Sequence, residues 1–445
     1  MPSIQRVTAL AIARALLAGP QEPGGLAARV RLCLGTGACD WHGELAARIA
    51  KLSALHWQYL TPRALARLVE IDPGYQHAWI SDERPTAHRW ILREAQGPRP
   101  APLGLERIQR PAWPHAGALA AFLGMPIEGL WRLTLPADRQ RRRPLAEQHY
   151  RCRLLAKRSG GMRLLEVPEP HLMAVQRRLL DALLDFVPPH EAAFGHARGR
   201  SVVDHAAAHA GQAVVLKFDL RDFYSSVRAS RVHALFATLG YSDEVARALT
   251  ALTTVATPEA VLRRLREAGS LTWEQLQRLR DPHLPQGAPT SAALANLCAF
   301  GLDLRLDGLA YALGARYTRY ADDLVLSGGP ELARWRDRIE RWVGRIAREE
   351  GFALNHRKTR CQRSGARQTV CSIVVNAKPN LPRAEFDRLK AILHRCVVDG
   401  PAAQNRDGIE RWREHLAGRI AWAAQLNAAK AARLQSLFAR IDWER

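Results

Sequence analysis

Two adjacent aspartates, Asp322 and Asp323, lie within Arg316-Tyr-Thr-Arg-Tyr-Ala-Asp-Asp-Leu-Val-Leu-Ser327, with apolar and β-prone residues on both sides. That pattern predicts a β-hairpin whose tight turn carries Ala321, Asp322 and Asp323. Neighbouring carboxylates repel each other unless a cation stands between them. Hard oxygen donors of this kind suit Mg²⁺, which keeps water and phosphate oxygens as its other ligands. Taken alone, the hairpin also admits a plainer reading, an ordinary surface turn, because aspartate is common in turns for local hydrogen-bonding reasons. A second stretch, Val214-Val-Leu-Lys-Phe-Asp-Leu-Arg-Asp-Phe-Tyr224, is an apolar run that ends in an acid. A strand that carries Asp219 beside the hairpin supplies a third carboxylate. Asp219, Asp322 and Asp323 could then hold two metal ions about 4 Å apart, the clamp for in-line attack on a phosphate.

Tyr320-Ala-Asp-Asp323 resembles the catalytic box of reverse transcriptases. Phe218-Asp-Leu-Arg-Asp-Phe-Tyr224 resembles their first catalytic motif, and Leu284-Pro-Gln-Gly-Ala-Pro-Thr-Ser291 their template- and nucleotide-positioning motif. All three stand in the family's order. The resemblance is to the bacterial retron-type enzymes and covers roughly residues 111 to 445. It implies an α+β right-hand polymerase: a helical N-terminal extension (1–110), a helical lead-in (111–148), fingers and a palm with an antiparallel sheet (149–378), and a helical thumb (379–445). It implies an RNA-directed DNA polymerase in which Asp219, Asp322, Asp323 and the Leu220 carbonyl hold two Mg²⁺ ions, or Mn²⁺. The implied partners are dNTPs, a structured noncoding RNA with its DNA product and, in anti-phage systems, an effector protein. The enzymatic alternative is a defence-associated or abortive-infection reverse transcriptase with untemplated or protein-primed DNA synthesis. A scaffold with a dead polymerase fold is the reading of a different class, and the three intact carboxylates argue against it.

Other positions match by the same resemblance. Lys157 and Arg163 flank a Ser-Gly-Gly turn in a basic hairpin and match residues that contact the incoming nucleotide. Tyr224 matches the ring that blocks a ribose 2′-hydroxyl, Asp222 a position near the sugar, Gln286 a contact to the new base pair, and Lys358 a lysine near the phosphates. Arg198 and Arg200 lie in a glycine-rich basic segment, Ala193 to Val202, and with His205, His209, Arg388 and Arg395 are candidate nucleic-acid contacts. Thr290 or Ser291 is placed to cap the following helix. The chain departs from the retron pattern twice. His205 stands where asparagine is usual, and Val370-Cys371-Ser372 stands where Val-Thr-Gly is usual, within a segment (368–376) that resembles a primer-gripping strand.

The composition points the same way. The formal net charge of +22 among 445 residues favours a polyanionic partner, with nucleic acid first. No apolar run approaches the ~20 residues of a spanning helix, so no membrane partner is expected. Seven scattered cysteines without a Cys-x-x-Cys pair read as a reduced, cytoplasmic protein. Cys33, Cys39 and His42 have no usual zinc spacing. The aromatics Trp41, Trp57, Tyr59, Tyr75, Trp79 and Trp90 are read as core of the extension. Residues 331–350 read as one amphipathic helix, and Phe386, Leu389, Leu393 and Cys396 as the apolar stripe of a thumb helix.

Overall fold

A computed structural model describes residues 4–35, 40–81, 84–89, 91, 108, 110–156, 162–269 and 271–444. Cys39, Trp90, Lys157, the Ser-Gly-Gly turn and the proline-rich residues Pro98 to Pro102, whose composition predicts a linker, lie outside the described residues. The chain forms two compact units, one of residues 1–101, 112–119 and 239–245, the other of the remainder.

The first unit is helical. Its helices Ile4–Leu17, Pro23–Leu34, Asp40–Ala50, Ala54–Tyr59, Pro62–Glu70 and Pro73–Ile80 enclose a core of Ile12, Leu16, Leu26, Leu45, Leu65, Val69 and Tyr75. Trp41, Trp57 and Trp79 pack against that core, as expected from apolar aromatics with no partner in view. Arg29 satisfies open carbonyls at the end of the first helix, donating to Ala15 and Leu16 at 3.0 and 3.1 Å. Asp72 caps the last helix through the Gly74 and Tyr75 amides and accepts both Nε and Nη2 of Arg48, at 2.7 and 3.0 Å. No helix among the described residues is long and apolar enough to cross a membrane.

Among the described residues the second unit carries three antiparallel sheets. Strands β1 (Tyr150–Ala156) and β2 (Met162–Pro168) form the expected basic hairpin. A four-stranded sheet has the order β4-β5-β3-β6, where β3 is Val214–Asp219, β4 Arg316–Tyr320, β5 Asp323–Gly328 and β6 Arg360–Arg363. Strands β7 (Thr369–Val370) and β8 (Ile373–Val374) form a small third sheet. The α+β class read from the sequence is the one found.

β3 is central and buried over nearly its whole length, which is why it reads as a continuous apolar run rather than an alternating one. Val215 and Val325 share a core with Phe386, Leu389, Leu393 and Cys396, the predicted stripe of helix Arg383–Asp399. Helix Phe300–Ala312 packs against β4.

Two expected elements differ. The helix expected over 331–350 breaks at Trp335 into Glu331–Arg334 and Arg336–Glu349. Residues 368–376 are a hairpin rather than one strand, because Cys371 (φ 45°) and Ser372 (φ 67°) turn the chain between β7 and β8.

Candidate active site

The antiparallel register of β3 and β5 sets the site. Asp219, the last residue of β3, pairs directly with Asp323, the first of β5. Asp322 completes the two-residue turn from β4, where Tyr320 pairs with Asp323. The turn is held from several sides. The Leu220 amide donates to the Asp322 carbonyl at 2.8 Å. The Asn355 amide donates to the Asp219 carbonyl at 2.8 Å, and Arg221 N–H to the Ala353 carbonyl at 2.7 Å. Ala321 sits in the left-handed region at φ 53°, which an L side chain resists by roughly 1–2 kcal/mol. Beside it the 192–195 segment runs parallel to β4: Arg319 N–H donates to the Ala192 carbonyl and Phe194 N–H to the Arg319 carbonyl, both at 2.7 Å. Gly195 is required here, since a Cβ would lie 2.6 Å from the Ala321 amide nitrogen.

The carboxylates crowd one another. Asp219 is 5% exposed. Burial, then the charges of Asp323 and Asp219, push the Asp322 carboxyl up to about 6. Burial and Asp219 also raise Asp323, against the pull of Lys217 and Lys358. Lys358 Nζ lies 2.6 Å from Asp219 Oδ2. Burial lowers the Lys358 ammonium, but the hydrogen bond to Asp219 and the attraction of all three carboxylates leave it raised. As placed, the described residues contain no ready-made cluster of three metal-ligating side chains. The donor set nevertheless fits a hard divalent cation. The register brings Asp219, at the end of β3, opposite the turn that carries Asp322 and Asp323, and the repulsion among these charges is what a cation relieves.

Around this centre the other candidates divide. Tyr224 is half-buried near Asp322: burial raises its hydroxyl first, and the Asp322 charge adds to that. Arg163 is exposed on β2. Gln286 lies in a loop docked on β2 through the Glu166 amide, which donates to the Gln286 carbonyl at 2.9 Å. Gly287 (φ 125°) passes so close that a Cβ would meet Val167 Cγ2 at 3.3 Å. Below the loop, buried Glu166 accepts from the Thr257 hydroxyl at 2.7 Å and lies 3.0 Å from His283 Nε2. Burial depresses the imidazole, but Glu166 outweighs it and raises His283. Sequence reasoning missed this pair, because Glu166 and His283 are 117 residues apart.

Arg198, Arg200, Arg388 and Arg395 are exposed, and Arg200 stacks 4.5 Å over the Phe194 ring. His205 and His209 are not surface contacts. Both are fully buried, and they join the strands below the turn. His209 Nε2 lies 2.6 Å from Thr318 Oγ1, His209 Nδ1 lies 2.7 Å from Ser327 Oγ, and His205 Nδ1 lies 2.8 Å from Thr318 Oγ1. Their i, i+4 spacing correctly puts them together but points them inward. Asp222 (φ 51°), matched to a position near the sugar, accepts from Gln275 Nε2 at 2.9 Å and from Arg278 Nη1 at 3.4 Å. Thr290 makes no cap, because its own backbone is already helical (φ −80°, ψ −18°). Its hydroxyl and that of Ser291 are buried without a hydrogen-bond partner among the described residues.

Residues 155–371 match the family model described as reverse transcriptase (RNA-dependent DNA polymerase). The retron Mx65 reverse transcriptase of Myxococcus xanthus is 39% identical over 337 residues, covering 74% of this chain and 72% of that protein. The retron Mx162 reverse transcriptase of the same organism is 34% identical, covering 71% of this chain and 64% of its own. The retron Ec86 reverse transcriptase of Escherichia coli is 26% identical, covering 67% and 82%.

Proposed function

Because the chain belongs to the retron-type reverse transcriptases, RNA-directed DNA polymerases, we propose that it copies a structured noncoding RNA into DNA as part of an anti-phage system. The observation that carries the catalytic part is the register that sets Asp219 opposite Asp323 at the turn bearing Asp322. Asp219, Asp322 and Asp323, with the Leu220 carbonyl, would hold the metal ions. Two bound Mg²⁺ ions would activate the primer hydroxyl and stabilise the leaving pyrophosphate. Tyr224 bounds the sugar side of the site. Lys358, paired with Asp219, places positive charge where a triphosphate arrives. Arg163 offers a planar fork from the fingers hairpin, and Gln286 faces the new base pair. Exposed Arg198, Arg388 and Arg395 contact RNA phosphates, and the excess of positive charge makes that binding salt-dependent. An effector protein is the remaining partner.

The second reading, a defence-associated enzyme with untemplated or protein-primed synthesis, draws support from the Cys371-Ser372 turn, which departs from the retron pattern. The other departure, His205, lies in the palm core and bears on packing rather than on RNA.

Primer extension on an RNA template, with dNTPs and with or without Mg²⁺, tests the reaction. Absence of metal-dependent incorporation by folded protein rejects it. Sequencing the RNA that copurifies separates the two readings: one structured RNA species supports the first, and a bulk sample of cellular RNA rejects it.

A further inference from the structure

Beneath the acidic turn lies a charged group to which the polymerase chemistry gives no task. Arg319 precedes Ala321 by two residues on β4, and it is 0% exposed. A buried guanidinium is costly unless its donors find acceptors. Here Nε donates to Asp303 Oδ1 at 2.7 Å and Nη2 to Asp303 Oδ2 at 2.6 Å, a planar fork. Nη1 donates to Asn296 Oδ1 at 2.8 Å and to the Ala321 carbonyl at 3.1 Å. The Tyr317 hydroxyl donates to Asp303 Oδ1 at 2.8 Å, and Asn296 Nδ2 donates to the Gly195 carbonyl at 2.7 Å. One side chain therefore links helices Ser291–Cys298 and Phe300–Ala312 and, through Asn296, the 192–195 segment to the residue before Asp322.

An ion pair this deep is weak evidence of a stabilising role, because well-packed apolar residues of similar volume often do as well or better. An apolar pair cannot, however, hold the Ala321 carbonyl. Ala321 occupies a backbone region that persists only when its surroundings impose it, and Arg319 Nη1 is one of the groups that impose it.

We propose that Arg319 is a positioning residue of the polymerase site: its Nη1 fixes the Ala321 carbonyl and thereby the place of Asp322, while Asp303 and Asn296 hold the guanidinium in register. The proposal rests on the reading of Asp219, Asp322 and Asp323 as the catalytic set. Arg319 acts through the turn, so its loss appears in kcat while the KM for dNTP stays nearly constant.

The test is single-nucleotide incorporation by the full-length chain. Wild type and Asp322→Asn check the parent reading. If wild type shows no metal-dependent incorporation, both that reading and this proposal fall. With wild type active, the deciding protein is the triple variant Arg319→Met, Asp303→Leu, Tyr317→Phe, which removes the charges and the hydroxyl together and leaves none of them unpaired. The expected result is cooperative melting, a fall in kcat of about thirtyfold or more, and a KM for dNTP within about threefold of wild type. A purely structural role predicts wild-type kcat in the folded triple variant, and that result overturns the proposal. If the triple variant does not fold, Arg319→Lys decides, since it keeps a positive charge beside Asp303 but loses the fork. A fall in kcat of about tenfold is expected, and wild-type kcat overturns the proposal.

Discussion

Two of the hairpins in the second unit turn in two residues, and neither uses glycine. Between β4 and β5 the turn is Ala321-Asp322, with Ala321 alone at positive φ. Between β7 and β8 it is Cys371-Ser372, with both residues at positive φ, the pattern usually given to Asn-Gly or Asp-Gly. The first turn is bound by the Leu220 amide and the closely apposed Gly195, both from elsewhere in the fold, and by the guanidinium of Arg319 on its own strand β4. The second is carried by its own short ladder and by Val370, Ile373 and Val375, which are buried in the core shared with helix Arg383–Asp399. Backbone strain persists where the surrounding structure imposes it, and such positions cluster at functional sites. The difference accords with the chemistry proposed at the first turn and with a packing role at the second.

The strongest way to break this contrast is to remove charge from the first turn. Asp322→Asn should lower dNTP incorporation by at least about a thousandfold, as expected from losing several kcal/mol of transition-state stabilisation. Melting should stay the same or rise, because a repulsion is relieved. Normal incorporation by the folded variant would remove Asp322 from the site. Gly195→Ala pushes on the same turn without touching its charge. Its Cβ would meet backbone at 2.6 Å, so the turn must move, and a displacement on the order of 1 Å costs about a hundredfold in kcat. An unchanged rate means that the turn tolerates movement.

Tyr224→Ala should be milder. Its ring stands beside the acidic cluster, and its loss should raise the ratio of ribonucleotide to deoxyribonucleotide incorporation by about tenfold or more. An unchanged ratio with activity retained makes Tyr224 a packing residue only.

Below the first turn, His209 bridges β4 to β5. Burial holds its ring down to about 3, aided by His205 and Arg316, and holds His205 down to about 4, aided by Lys217. In the unfolded chain both protonate near pH 6.5. The folded value lies below the unfolded one, so the unfolded state binds more protons between them. Stability is fully present above about pH 6.5 and falls as the pH drops towards 4 and then 3. The His209 share is about 2 kcal/mol by pH 5. His209→Gln, which can still bond Thr318 and Ser327, should lose about 2 kcal/mol less between pH 7 and pH 5 in chemical denaturation. Equal losses mean that the wild-type ring is not held neutral.

What the sequence made legible is what local pattern encodes. The β3 run, the acidic hairpin and the stripe Phe386, Leu389, Leu393 and Cys396 each follow from burial on a strand or on one helix face. The three carboxylates were legible as a candidate set because a second apolar run ends in Asp219 and both stretches resemble the family's motifs in order; the acidic turn alone reads equally as an ordinary surface turn. The supports were not. Asp303 and Arg319 are 16 residues apart and meet only because helix Phe300–Ala312 packs back on β4. His205 and His209 share a face by spacing, but spacing does not say which way that face points. Cys371-Ser372 offers only the weak turn chemistry of a serine hydroxyl, so it read as strand.

The smallest effect compares the same exchange at both turns. Ser372 is exposed at φ 67°, and glycine removes a penalty of roughly 1–2 kcal/mol while adding roughly 0.5–1 kcal/mol of unfolded-state entropy. Ser372→Gly should therefore gain about 0.5 kcal/mol or slightly more in chemical denaturation. Glycine is also usual at this position in retron enzymes, so kcat should stay close to wild type. Ala321→Gly removes the same kind of strain at φ 53° and should gain a similar amount. There, however, the freed backbone is the one that carries Asp322, and a looser turn samples the productive geometry less often. Its kcat should fall several-fold while its stability rises. If Ala321→Gly is as active as wild type, the first turn is held entirely by its surroundings and the strain at Ala321 has no part in placing Asp322. If Ser372→Gly loses activity as well, the second turn also positions substrate, and the contrast between the two hairpins fails.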